Sequence, residues 1–258
     1  MIIDSCAYIG HYPFRKTSVK SAEELIALMD EHGIDKAVVS SIQGVYYKDM
    51  MDGNLELFEE IKPYVDRLIP AANINPCYPC AMEDLERCVK EFGCREIRLW
   101  PRQTGKDVNC DEYVNIIKRC GELGVPVAFC IEDVRGGHNL DIENCISTDE
   151  LVEVATYAPH TDIVVHNPMF FGFMRPLYEV ERKGNIYFDM GKLDSLYFTP
   201  LIDAVETVGF DHIMFGSSAP LQYIGPHLVK LKYLGEKLGA SKEDMDKIYF
   251  ENAKKLYE

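Results

Sequence analysis

Short apolar runs alternate with amphipathic stretches from one end of the chain to the other. The runs read as strands over 1–6, 36–41, 68–74, 94–99, 125–130, 162–166, 185–189 and 212–215. Between them, apolar residues recur at helical spacing. Ser21-Ala22-Glu23-Glu24 forms a capping box that opens a helix to His32, with Gly33 as its stop. Further helices are expected over 53–64, 82–92, 111–123, 148–158, 176–183, 199–208 and 226–238, and a last one over 242–256. Segments such as Ala37-Val38-Val39 are apolar at successive positions, as parallel strands buried on both faces must be. Strand-helix alternation of this kind predicts an α/β fold, a (β/α)8 TIM barrel with an extra C-terminal helix. An open doubly wound sheet is the alternative, although no G-x-G-x-x-G follows the first strand.

The 258 residues suit one barrel, which typically needs about 250, so a single domain over 1–258 is expected. Forty-two acidic against 27 basic side chains give a net charge of −15, which argues against nucleic-acid and membrane-surface partners. The first residues show neither a basic leader nor an apolar signal core, so the expected location is the cytoplasm. Nine cysteines, an odd number in a chain able to build a core without staples, read as free thiols.

Barrel chemistry sits at the C-terminal ends of the strands. The polar residues expected there include Asp4, Cys6 and Tyr8; Asn73; Arg98, Trp100 and Arg102; Cys130 and Glu132; His166; Asp189 and Lys192; and Ser218. The pattern Ile3-Asp4-x-Cys6-x-Tyr8-x-Gly10 resembles the opening of the amidohydrolase superfamily, in its amidohydrolase-2 branch, where the motif is I-D-x-H-x-H-x-G. Ile74-Asn75-Pro76, Val125-Pro126-Val127, Val164-Val165-His166, Phe215-Gly216-Ser217-Ser218-Ala219-Pro220 and Asn252-Ala253 resemble further motifs of that branch, in the same order. The resemblance implies a TIM-barrel hydrolase or decarboxylase with a divalent metal. It also implies that Cys6, Tyr8, Cys130 and Ser218 stand where the family places its metal ligands, while His166 matches the family's sixth-strand histidine. No metal cofactor is therefore expected. Zinc held by Cys6, Cys130 and His166 is the alternative, against the reading of both cysteines as small buried fillers.

Arg98 and Arg102, bracketing Trp100, suit a carboxylate and a flat substrate, or else Arg98 pairs with a buried acid and Trp100 covers the barrel mouth. Glu132 falls in a long loop that reads as a lid or as a solvated charge run. Lys192 reads as an anion ligand or a surface lysine. Cys77-Tyr78-Pro79-Cys80 has redox-motif spacing but, with no second CxxC to pair it, reads better as loop cysteines. The functional expectation is a hydrolase or lyase for a small anionic, carboxylated substrate such as a lactone or ester. In it His166 is general acid or base, Tyr8 and Ser218 donate hydrogen bonds, and Arg98, Arg102, Trp100, Lys192 and Glu132 bind substrate. A non-catalytic binding protein is the competing class, and a homo-oligomer is compatible with either.

Overall fold

Alternate side chains of the apolar runs are buried on both faces, which requires packing on either side of the sheet. The structure, a computed structural model, describes residues 1–130, 148–166, 185–190 and 199–258. Its strands are β1 (Ile3–Ile9), β2 (Lys36–Ser41), β3 (Leu68–Asn73), β4 (Glu96–Leu99), β5 (Val127–Cys130), β6 (Ile163–His166), β7 (Ile186–Asp189) and β8 (Ile213–Met214). They form one eight-stranded sheet, parallel throughout and in sequential order. The ends of that order meet: Ser5 N–H donates to the Phe215 carbonyl at 2.9 Å, Tyr8 N–H to Ala219 at 2.8 Å, and Ala7 bridges Ala219 in parallel. Sequential order with the first and last strands in contact is the (β/α)8 barrel and excludes the doubly wound sheet, whose strand order reverses.

The helices are α1 (Ala22–His32), α2 (Met50–Ile61), α3 (Ala81–Lys90), α4 (Pro101–Thr104), α5 (Asp111–Leu123), α6 (Thr148–Tyr157), α7 (Thr199–Val208), α8 (Ile224–Leu238), α9 (Lys242–Asp246) and α10 (Asn252–Tyr257). The helix expected at 176–183 lies outside the described residues. The Ser21 capping box is formed with Glu24, and Gly33 closes α1 at φ 69°. The expected 242–256 helix is interrupted by a π-helical turn, Lys247–Glu251. Among the described residues, no helix is long and apolar enough to cross a membrane.

Strand β1 runs three residues beyond its expected end and carries a bulge. Asp4 is opposite Ala37 but Ala7 is opposite Val39, so β1 has one extra residue. The extra residue lets Ile3 and Cys6, an odd number of positions apart, both face the barrel interior. That interior has an apolar floor, in which Ala253 and Tyr257 of α10 plug the barrel among Ile3, Val38, Ala128 and Val164. At the opposite end, Cys6, Tyr8, Trp100 and Cys130 cluster with Tyr12, Ile42, Met50 and Leu221. The outward strand residues, such as Val39, Ile97, Phe129 and Phe188, pack with the helices in the main core.

Candidate active site

Between the floor and the upper cluster the barrel interior is charged. Glu96 and Arg98 of β4, His166 of β6 and Asp189 of β7 are all fully buried. Arg98 Nε donates to Glu96 Oε1 at 2.7 Å. Its Nη1 donates to Ser40 Oγ at 2.8 Å and the Ala7 carbonyl at 3.1 Å, and Nη2 to the carbonyls of Val38 at 3.1 Å and Ser5 at 3.3 Å. A guanidinium has five N–H donors, and these bonds engage all of them.

His166 lies between two carboxylates. Its Nδ1 is 2.6 Å from Asp189 Oδ2 and its Nε2 is 3.1 Å from Glu96 Oε1. Neutral imidazole carries a single N–H, so acceptors at both nitrogens select the imidazolium. Burial opposes the charge, but Cys6, Glu96 and Asp189 outweigh it and hold the pKa well above the usual imidazole value. Burial alone would raise the Glu96 pKa, yet the charges of His166 and Arg98 and a 2.5 Å bond from Tyr257 OH bring it down to about 2. Asp4 holds the seam between β1 and β8. It accepts from the backbone N–H groups of Cys6 at 3.1 Å and Ser217 at 2.9 Å and from Ser217 Oγ, while burial raises its pKa to about 6.

Above this layer, the Cys6 thiol donates to Tyr8 OH at 3.3 Å and lies 3.6 Å from Ser218 Oγ. Having accepted from Cys6, the Tyr8 hydroxyl retains its own proton to give. The Tyr8 ring centroid is 5.1 Å from the Arg98 guanidinium and 6.2 Å from the Trp100 ring. Burial, reinforced by Cys6 and Cys130, raises the Tyr8 pKa and keeps the phenol neutral. Ser218 adopts φ 53°, a left-handed conformation that costs a non-glycine residue roughly 1–2 kcal/mol. Its N–H donates to the Cys6 carbonyl at 2.8 Å and its carbonyl accepts from Leu221 N–H at 2.8 Å, which fixes the turn over β1.

The structure thus brings Cys6, Tyr8, Arg98, Trp100, Cys130, His166 and Ser218 into one buried group. Of the two readings open for Arg98 and Trp100, the geometry matches the second, a buried ion pair and a cover. The Arg98 donors are engaged by Glu96 and the barrel wall rather than left for a substrate carboxylate. Trp100 donates Nε1–H to Asn73 Oδ1 at 2.8 Å and is 2 % exposed, so it roofs the interior. Glu132 and Lys192 lie outside the described residues, and Arg102 is described in its backbone alone. Glu96 and Asp189 were missed as the partners of His166, Glu96 as that of Arg98, and Tyr257 as that of Glu96. A signal existed for Glu96: two positions before Arg98, it shares that residue's face of the strand.

The alternative zinc set of Cys6, Cys130 and His166 takes a different membership in the structure. Among the described residues, the ligating atoms that come within 4.8 Å of one another are those of Cys6, His166 and Asp189. These three could hold an ion, but as placed two of them are bonded to each other. Two ligands of one ion stand roughly 3 Å or more apart when each bond is about 2.0–2.2 Å, whereas His166 Nδ1 and Asp189 Oδ2 are in hydrogen-bond contact at 2.6 Å. The other His166 nitrogen faces Glu96, and burial pushes the Cys130 thiol up to about 12. A manganese-type ion prefers oxygen and imidazole ligands to neutral thiol and phenol. All eight described cysteines are free, and the thiols of Cys77, raised mainly by burial, and Cys80, raised mainly by its bond to Asp84, are not activated.

Residues 19–258 match the amidohydrolase family model Amidohydro_2. No curated protein matches the chain in sequence. Solved structures share the fold across the whole chain. The 5-carboxyvanillate decarboxylase of Sphingomonas paucimobilis superposes with a TM-score of 0.78 at 12 % identity, covering 99 % of this chain and 98 % of that one. The 2,6-dihydroxybenzoate decarboxylase of Rhizobium gives a TM-score of 0.73 at 18 % identity, over 99 % and 98 %. A dihydroxybenzoic acid decarboxylase of Polaromonas, with bound manganese and the inhibitor 2-nitroresorcinol, gives 0.74 at 18 % identity, over 99 % and 96 %.

Proposed function

The chain belongs to the amidohydrolase family, and from that membership we propose that it is a lyase or hydrolase acting on a small carboxylated organic molecule at the mouth of the barrel, without a resident divalent metal. The observation that carries this reading is the Cys6–Tyr8–His166 arrangement. A buried neutral phenol with an unspent proton stands on β1 bonded to Cys6, whose sulfur lies within 4.8 Å of the His166 imidazolium. Decarboxylation of the kind named for the neighbouring structures needs a proton delivered to carbon and a charged group held in place. Hydrolysis of an activated ester or lactone needs hydrogen bonds to a developing oxyanion. Tyr8 and Ser218 supply donors for either, and His166 holds the proton reserve at Nδ1 and Nε2. Arg98, under the Tyr8 ring, stabilises negative charge on the phenol oxygen as its proton is shared.

The test is a panel of carboxylated aromatic acids, assayed for CO2 release, and carboxylated lactones and esters, assayed for acid release, with chelator present. Turnover is expected on at least one member, and Tyr8→Phe should lower it roughly 10²-fold or more while leaving substrate affinity within a few-fold. Tyr8→Phe at full rate removes the mechanism. A ligand-binding barrel without turnover is the second reading. It is favoured by the same saturation that fixes Arg98 and His166, since both cations are wholly engaged by the protein.

A further inference from the structure

With Arg98 committed to the wall, a ligand carboxylate needs another cation, and the segment between β1 and α1 provides two in succession, Arg15 and Lys16. We propose that Arg15 and Lys16 form the carboxylate-binding subsite of this protein, in the cleft between that segment and the turn after β8. The inference rests on the reading of the ligand as a small carboxylate. The cleft has a volume of about 310 Å³, and its walls include Thr17, Ser18, Leu221 and Gln222. That is at the lower end of the range of small-molecule sites, roughly 300–1,000 Å³.

Charge sets this cleft apart. Among the described residues no carboxylate lines it, in a chain with 42 acidic residues. The cleft beside Tyr46 and Tyr78 includes Asp49 and Asp52, and the groove along α3 includes Glu83, Glu86 and Glu91. Among the described residues neither Arg15 nor Lys16 makes an ion pair. Two unneutralised cations side by side make a local positive field on a protein whose net charge of −15 otherwise repels anions.

Geometry joins the cleft to the barrel mouth. Arg15 Nη2 donates to the Leu221 carbonyl, and its guanidinium lies 6.0 Å from the Tyr12 ring centroid, so the head group is oriented at the wall of the cleft. Leu221 and Tyr12 both belong to the upper cluster with Cys6, Tyr8 and Trp100. The Leu221 N–H also bonds to the Ser218 carbonyl. The wall of the cleft and the turn that presents Ser218 are therefore one structural unit. A carboxylate held at Arg15 and Lys16 lies against Leu221, whose backbone is bonded to the turn of Ser218.

The experiment is calorimetric titration of the full chain with benzoate and with its neutral counterpart benzamide, at low and high salt. Benzoate is expected to bind the wild type, more weakly as salt rises, and benzamide to bind at least tenfold more weakly. R15Q/K16Q should lose benzoate affinity roughly tenfold or more, and K16Q alone, which keeps the Arg15–Leu221 contact, by several-fold. R15K/K16R, with both charges kept, should retain most of it. Undiminished benzoate affinity in R15Q/K16Q overturns the subsite and leaves the carboxylate reading standing. Equal affinity of the wild type for benzoate and benzamide, or no binding of benzoate, overturns both.

Discussion

Arg98 illustrates how burial decides what a charged side chain can do. At a barrel mouth an arginine invites a substrate anion, but a fully buried guanidinium must first satisfy its own donors, and here Glu96, Ser40 and three backbone carbonyls do so. Arg98→Met should destabilise the fold by about 3–5 kcal/mol, measured by urea unfolding, because it strands Glu96 without its cation. A stable Arg98→Met protein that merely loses ligand affinity would restore the role as a carboxylate clamp. Titration separates the buried groups. Asp4 has its pKa raised to about 6, so the stability it contributes is complete below its unfolded value near 3.8 and fades as pH rises toward 6. Asp4→Asn, able to keep the Ser217 contacts, should flatten that decline, which is on the order of 3 kcal/mol. Glu96 acts in the opposite direction, contributing above its unfolded value and losing its contribution as pH falls toward 2. His166, raised above the ordinary imidazole value, contributes below about 6.5 and loses that contribution as pH climbs through its folded pKa. Unfolding free energies of wild type and Asp4→Asn from pH 4 to 7 check the first sign. A parallel decline in both proteins would show that Asp4 is not its source.

Elements with a strong local code were legible before any coordinates. The α1 capping box at Ser21 and the bounds of α5 follow from side chains within a few residues of one another. The β1 bulge was not legible, because strict alternation cannot say where one extra residue is inserted. Nor was the bond from Tyr257 in α10 to Glu96 in β4, which spans 161 positions and depends on α10 closing the barrel floor. Tyr257→Phe should cost about 1–3 kcal/mol, since it removes a bond to a buried charge while keeping the ring in the floor. An unchanged unfolding midpoint would mean that the bond contributes nothing net. A second element-level test concerns the approach of α2 to the turn after β2. A Cβ on Gly53 would collide with the Gly44 backbone, and both glycines also crowd Ser41. Gly53→Ala should therefore destabilise by roughly 1–3 kcal/mol through forced separation of the two segments. Unimpaired stability would show that this contact is loose.

The whole molecule was foreseen as a barrel because eight apolar runs alternating with helices leave few other architectures, and sequential parallel order with the ends joined confirms it. Its site was legible only in part. Residue types and strand ends singled out Cys6, Tyr8, His166 and Ser218, which the fold brings together, but not which of them would be bound to one another, since that depends on how far each strand carries its side chain across the interior. The consequence for chemistry is large: one histidine between two carboxylates behaves as a proton store, whereas a histidine facing an open position would behave as a base or a metal ligand. A structural neighbour binds manganese, whereas in this chain His166 and Asp189 are bonded to each other. Elemental analysis of protein purified without chelator, coupled to turnover of the carboxylate panel before and after chelation, tests this most directly. Substoichiometric metal with turnover undiminished by chelation is the predicted result. Stoichiometric manganese or zinc, with turnover lost on its removal and restored on its return, would contradict the account.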